Sequence, residues 1–250
     1  MIEIKNLHKR FGTNKVLQGV DLNIYPGETI VIIGRSGCGK SVLLKHIVGL
    51  LMPDEGYVKL SEPSAERKDM IISELSQKEL YEIRKKFGFL FQGAALFDSM
   101  TVEENVSLPL VESKNGYTKD QIKKIVDEKL ELVGLREAQN VKPAELSGGM
   151  KKRVGLARAL VTNPEYILYD EPTTGLDPIM SDSIDNLIRE LSEKIKVTSV
   201  VVTHDMYSVK NVAAKVAMMH EGKIHFYGSP AELLKSDDSV IVDFIKRTGA

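Results

Sequence analysis

Gly34-Arg35-Ser36-Gly37-Cys38-Gly39-Lys40-Ser41 fits G-x-x-x-x-G-K-[ST], the phosphate-binding P-loop, at every fixed position. The short β-branched run Thr29-Ile30-Val31-Ile32-Ile33 precedes it and reads as a buried strand. Ser41-Val42-Leu43-Leu44-Lys45-His46-Ile47-Val48 follows, with apolar residues at helical spacing. A glycine-rich turn alone would bind nothing, but strand, glycine loop and helix together make a site. The glycines let backbone N–H groups turn inward around a phosphate, and the helix N-terminus adds a favourable partial charge. Lys40 is placed to reach the β- and γ-phosphates, and Ser41 Oγ to ligate Mg²⁺.

Two stretches further on belong with this loop. Tyr166-Ile167-Leu168-Tyr169 reads as a buried strand delivering Asp170 and Glu171. A strand-end Asp beside a P-loop is where such folds hold Mg²⁺, and the adjacent Glu is the expected base for a water attacking the γ-phosphate. Ser147-Gly148-Gly149 opens a second helix with a glycine-rich N-terminus, a second potential anion site. An ordinary N-cap explains Ser147 equally well in isolation.

The 250 residues carry 34 Lys plus Arg against 35 Asp plus Glu, a net charge of −1. That balance gives no footprint for DNA or RNA. Every apolar run is far shorter than the ~20 residues of a bilayer-spanning helix, and the N-terminus lacks a signal peptide's apolar stretch. A cytosolic protein is expected. Cys38 is the only cysteine, so no intrachain disulfide forms; it reads as a loop-filling residue whose thiol could sensitise the site to oxidation.

In chain order, residues 1–33 read as an antiparallel β region with turns at Gly12-Thr13-Asn14 and Tyr25-Pro26-Gly27-Glu28. Phe11, just before the first turn, offers either strand-end packing or a stacking face for adenine. After the breaker cluster Met52-Pro53-Asp54-Glu55-Gly56 come a strand at 57–60 and a charged, serine-rich surface insertion at 61–76. A helix at 75–86 leads into Phe87-Gly88-Phe89-Leu90-Phe91-Gln92, a strand ending on glutamine. Residues 101–139 read as two helices opened by capping boxes at Thr101 and Thr118, with Ile122, Val126, Leu130 and Val133 on one face of the second. A long helix after Asp177-Pro178 places Met180, Ile184, Leu187, Ile188, Leu191 and Ile195 at core spacing. A strand at 198–203 ends on His204, a hairpin spans 216–227, and Ser229 opens a last capping box. The fold class is α/β: a P-loop core with a mostly parallel sheet, an antiparallel N-terminal region and a helical subdomain.

Gly34 through Ser41, Gln92, residues 146–150, Asp170-Glu171, residues 175–178 and His204 stand in the order and spacing of the nucleotide-binding subunits of ATP-binding cassette (ABC) transporters, which the whole chain resembles. The resemblance implies ATP with Mg²⁺ as cofactors and one ATPase domain over 1–250, with 1–90 and 160–250 as core and 93–158 as the helical subdomain. Gln92 then contacts Mg²⁺ or the attacking water and senses the transport subunit. Ser147, Gly148 and Gly149 bind the γ-phosphate of ATP held by the opposite protomer, which gives two glycine-rich sites a common purpose in a head-to-tail ATP-bound homodimer. Asp177 lies at the dimer seam, His204 contacts the γ-phosphate, and Phe11 stacks on adenine where the family usually has Tyr.

The signature departs from the family at Met150, where Gln is usual. Leu-Ser-Gly-Gly-Met together with Phe91-Gln92-Gly93-Ala94-Ala95-Leu96-Phe97-Asp98-Ser99-Met100-Thr101-Val102 resembles the ATPase subunits of MCE-type (Mla-like) bacterial lipid transporters. That implies integral membrane permease partners, an MCE-domain lipid-binding protein, phospholipid as cargo, and a peripheral position on the cytoplasmic face of the inner membrane. Another transported substrate remains open. A soluble ABC ATPase working on DNA or ribosomes would carry a long coiled-coil insertion or two cassettes, and a GTPase an Asn/Thr-Lys-x-Asp motif; the chain has none of these.

Overall fold

The structure is a computed structural model and describes residues 1–61, 69–113 and 116–248. The chain opens with β1 (Ile2–Phe11) and β2 (Asn14–Ile24), an antiparallel hairpin in register Ile2↔Ile24 and Ile4↔Leu22. Alternation of these apolar residues with charged ones buries one face. Next come β3 (Thr29–Ile33), the P-loop and α1 (Lys40–Ile47). β4 (Glu55–Leu60) returns to pair with β1, and β5 (Met70–Ile71) pairs with β4, completing a sheet of order β2-β1-β4-β5. Residues 62–68 of the expected insertion lie outside the described residues.

α2 (Gln77–Arg84) leads to β6 (Phe87–Leu90), and then α3 (Val102–Glu112), α4 (Lys119–Leu132) and α5 (Gly148–Leu160) follow in succession. The capping boxes at Thr101 and Thr118 are formed, and Ser147 Oγ caps α5 by accepting from Met150 N. β7 (Tyr166–Asp170), α6 (Pro178–Ile195), β8 (Thr198–Thr203), α7 (Met206–Val212), β9 (Lys215–His220), β10 (Lys223–Gly228), α8 (Pro230–Leu234) and α9 (Ser239–Thr248) complete the chain.

The second sheet runs β10-β9-β3-β8-β7-β6, parallel from β9 to β6 with β10 antiparallel at one edge. The antiparallel region expected for 1–33 therefore stops short of β3, which pairs in parallel with β8 and β9. The reason is in its composition: all five residues of β3 are buried, as a strand covered on both faces requires. Ile30 and Ile32 join the core shared with β1, β2 and α1, whereas Val31 and Ile33 join the core shared with α3, α5 and α6. One central strand thus fixes the P-loop between both halves of the fold.

Within α6, Ile184, Leu187, Ile188 and Leu191 are buried as expected. Ile195 is not: the helix ends at Lys196 in a left-handed conformation (φ 54°), which leaves Ile195 exposed. The same helix buries Asp185 at 0 % exposure. Burial pushes this carboxyl from 3.8 up to about 6; Asp205 and Asp182 add to the shift, while Ser208 and Asn211 oppose it. The folded state therefore holds the proton more tightly than the unfolded chain, and stability is lost as pH rises from 3.8 through about 6. Asp185→Asn should be more stable than the parent by up to ~3 kcal/mol at pH 8. Denaturant midpoints should show that gap closing toward pH 4, and an equal gap at both pH values would refute the assignment.

Candidate nucleotide-binding site

The P-loop wraps one end of a cavity of about 780 Å³. Its shape depends on glycine. At Gly34 (φ 153°) an added Cβ would lie 2.5 Å from Met219 O, and at Gly39 (φ 105°) 2.8 Å from Leu17 Cδ2. Arg35, Ser36, Gly37, Gly39, Lys40 and Ser41 all line the cavity. Cys38 is partly buried among the core residues behind the loop. Burial pushes its thiol above the ordinary range, opposed by the Lys40 charge, which disfavours the reactive thiolate and fits the loop-filling role read from the sequence.

Lys40 is buried, and its ammonium donates to Gly34 O at 2.8 Å and Arg35 O at 3.3 Å. It also stands 3.8 Å from Glu171 Oε1. Ser41 Oγ, in the first turn of α1, donates to Asp170 Oδ1 at the end of β7 (2.7 Å). The two groups expected to share Mg²⁺ thus meet directly. Burial pushes the Asp170 carboxyl upward; the Ser41 bond opposes this and the Glu171 charge adds to it. A hydroxyl and a carboxylate are hard oxygen donors of the kind that suit Mg²⁺.

Glu171 follows β7 with φ 50°, in the left-handed region. Its N–H donates to Val202 O (2.9 Å), and its side chain accepts from Thr174 Oγ1 (2.9 Å). His204, just past β8, places Nδ1 2.9 Å from Glu171 Oε2. The carboxylate is therefore aimed by neighbours on both sides and faces the cavity beside Lys40. Gln92 lies just beyond β6 and also lines the cavity. Phe11, at the tip of the β1–β2 hairpin, also lines the cavity and is 47 % exposed, with Lys9 Nζ 5.7 Å from the ring centre.

Four expected site residues lie away from this cavity. Ser147 and Gly148 are exposed and Gly149 is buried at the start of α5, while Asp177 caps α6 by accepting from Met180 N (3.0 Å). They form a second cluster: a Cβ at Gly149 would meet Met180 Cε at 2.2 Å, and one at Gly148 would meet Leu176 Cδ2 at 3.2 Å. Both contacts are with the ends of flexible side chains, so the two glycines leave room for Met180 and Leu176 to lie against the start of α5.

The sequence reading missed three contributors. Thr174 holds Glu171, and buried Lys152 reaches the Glu171 carbonyl (3.0 Å). From α9, Phe244, Arg247 and Thr248 line the cavity, and Arg35 of the P-loop pairs with Asp243. Ile241 and Phe244, three apart and both buried, were a readable amphipathic signal. Nothing marked Lys152, which sits in the basic run Lys151-Lys152-Arg153.

The family model for ABC transporters matches residues 17–174, more than half of the chain. The chain is 42 % identical to the probable ribonucleotide transport ATP-binding protein mkl of Mycobacterium leprae, over 98 % of this chain and 68 % of that protein. It is 42 % identical to the methionine import ATP-binding protein MetN of Clostridioides difficile, over 93 % and 70 %. It is 40 % identical to the intermembrane phospholipid transport system ATP-binding protein MlaF of Haemophilus influenzae, over 98 % and 90 %. Among solved structures, the dimeric post-hydrolysis state of the ATP-binding cassette MJ0796 bound to ADP and Pi superposes with a TM-score of 0.82 at 35 % identity, covering 92 % of this chain and 99 % of that one. The chain belongs to the ABC transporter family, as an ATP-binding subunit that hydrolyses ATP.

Proposed function

We propose that this ATPase drives phospholipid movement through membrane subunits of an MCE-type system, with Glu171 as the base of hydrolysis. The observation that carries the catalytic part is the convergence of Lys40, Glu171 and His204 on one cavity wall. In this reading Lys40, His204 and the P-loop N–H groups hold the phosphates, and Phe11 stacks on adenine. Ser41, Asp170 and Gln92 hold Mg²⁺, which when bound supplies charge neutralisation on the β- and γ-phosphates. Ser147, Gly148, Gly149 and Asp177 serve the ATP of a second copy facing them head to tail. The whole chain acts as one ATPase domain, with 93–158 as its helical part.

The phospholipid reading is supported by the match over 90 % of the length of the phospholipid-system relative, together with the Met150-ended signature. Relatives named for ribonucleotide and methionine transport are 42 % identical against 40 % for the phospholipid-system relative, so reconstitution decides the cargo. The ATPase, assembled with its membrane subunits in vesicles, should be stimulated by phospholipid and not by methionine or ribonucleotides. Stimulation by either of the latter alone would overturn the lipid reading.

Docking is assigned to a groove of about 660 Å³ between α2, α3 and the segment after β6, bounded by Tyr81, Phe89, Phe91, Phe97, Leu108 and Tyr117. Only part of 94–100 faces outward: Ala94 is buried and Leu96 packs on the core, whereas Phe97 is 51 % exposed. The backbone there is held separately, since Phe97 N donates to Asn105 Oδ1 (2.8 Å) and Asn105 Nδ2 donates to Phe97 O (3.1 Å). Phe97→Asp should therefore keep its melting temperature and ATP affinity while losing most of its co-sedimentation with the membrane subunits. Undiminished co-sedimentation and transport would remove Phe97 from the docking surface. Among the described residues no helix is long and apolar enough to cross a membrane, so such docking is the route proposed to a peripheral place at the membrane's cytoplasmic face.

A further inference from the structure

Helix α5 carries two cations that bond to the backbone between the nucleotide cavity and the groove. Arg158 donates to Ala95 O (2.8 Å) and Ala94 O (2.7 Å). Ala94 and Ala95 have φ of 60° and 48°, consecutive left-handed residues that persist only because something holds them. Almost two turns earlier, Lys152 is 5 % exposed, and its ammonium donates both to Gln92 O and to Glu171 O, the latter at 3.0 Å.

These two carbonyls belong to different turns, one after β6 and one after β7. A single buried ammonium spans them, and displacing either carbonyl leaves a desolvated donor unpaired. Burial weakens the hold of Lys152 on its proton, while the Asp170 and Glu171 charges act the other way. A lysine that only filled space would not need both carbonyls, and a surface lysine would not accept this desolvation.

We propose that Lys152 is a positioning residue for hydrolysis: it locks the Gln92 turn to the Glu171 turn, so the carboxylate is aimed only while residues 92–95 lie against α5. The segment it holds runs from the cavity, lined by Gln92, to the groove, lined by Ala95. The inference rests on Glu171 as the base, an assignment that Glu171→Gln tests separately.

The test compares Lys152→Met, of similar length without donors, with Lys152→Arg, which keeps donors for both carbonyls. Steady-state hydrolysis by the full chain gives kcat and KM, and thermal unfolding reports the fold. Lys152→Met should lose kcat by ~10–100-fold with KM for ATP within about twofold, and Lys152→Arg should recover about a third or more of the parental kcat. Parental kcat in Lys152→Met would overturn the proposal. So would an arginine variant as slow as the methionine one, or a loss carried by KM alone. Should Lys152→Met fail to fold, Lys152→Gln, whose shorter amide keeps a donor to one carbonyl, is read in its place: an intermediate kcat at unchanged KM supports the proposal, and parental kcat overturns it. If Glu171→Gln hydrolyses normally, the base assignment fails. A kcat loss in Lys152→Met would then locate the effect at Gln92.

Discussion

Glu171→Gln will bind ATP as tightly as the parent and hydrolyse it ~10²–10⁴-fold more slowly, the usual cost of a lost general base. The amide has the shape of the carboxylate, and its oxygen can keep the Thr174 hydroxyl as a donor. What it cannot do is take a proton from water. Because Lys40 keeps its bonds to Gly34 O and Arg35 O, the loop that receives the phosphates is untouched. ATP should then hold two copies together, visible as a nucleotide-dependent dimer in size-exclusion chromatography. Near-parental turnover would remove Glu171 from the mechanism and return attention to His204.

Ser147→Arg should abolish turnover without emptying the P-loop of its own chain, because Ser147 lies outside the cavity that chain builds. In the proposed head-to-tail dimer the substitution puts bulk and charge at the exposed start of α5, where a second copy's γ-phosphate would dock. Lys40→Ala should fail for the opposite reason, through its own loop. Mixing the two proteins separates the causes: a mixed dimer has one site with both lesions and one with neither. Recovered hydrolysis in the mixture, absent from either protein alone, is the expected result. Full activity of pure Ser147→Arg would mean that each chain hydrolyses ATP without its neighbour.

What could be read ahead of the structure was local chemistry. The P-loop needs only its own glycines and the strand and helix around it, and the boxes at Thr101, Thr118 and Ser229 close within four residues. Misreadings arose where distant partners decide. Residues 29–33 were grouped with their antiparallel neighbours, although their partners come from 198–203 and 215–220. Ala94 is covered by α5 while Phe97, three residues on, is exposed, a split that one short apolar stretch does not encode. Arg153 bonds to Val133 O (2.7 Å) and Lys152 to two carbonyls from other turns, partners that no local pattern in Lys151-Lys152-Arg153 marks. Periodicity tells which face of a helix is apolar; it does not tell which cation on that helix will meet a carbonyl from another strand.

The left-handed backbone of Glu171 has a consequence for how this protein can be improved in the laboratory. A non-glycine residue at φ 50° costs about 1–2 kcal/mol that glycine would not. Selection that rewards heat tolerance alone will therefore press on this position and favour its replacement, and with the role proposed for Glu171 turnover would go with it. Any stabilised descendant that still works will have gained its tolerance elsewhere.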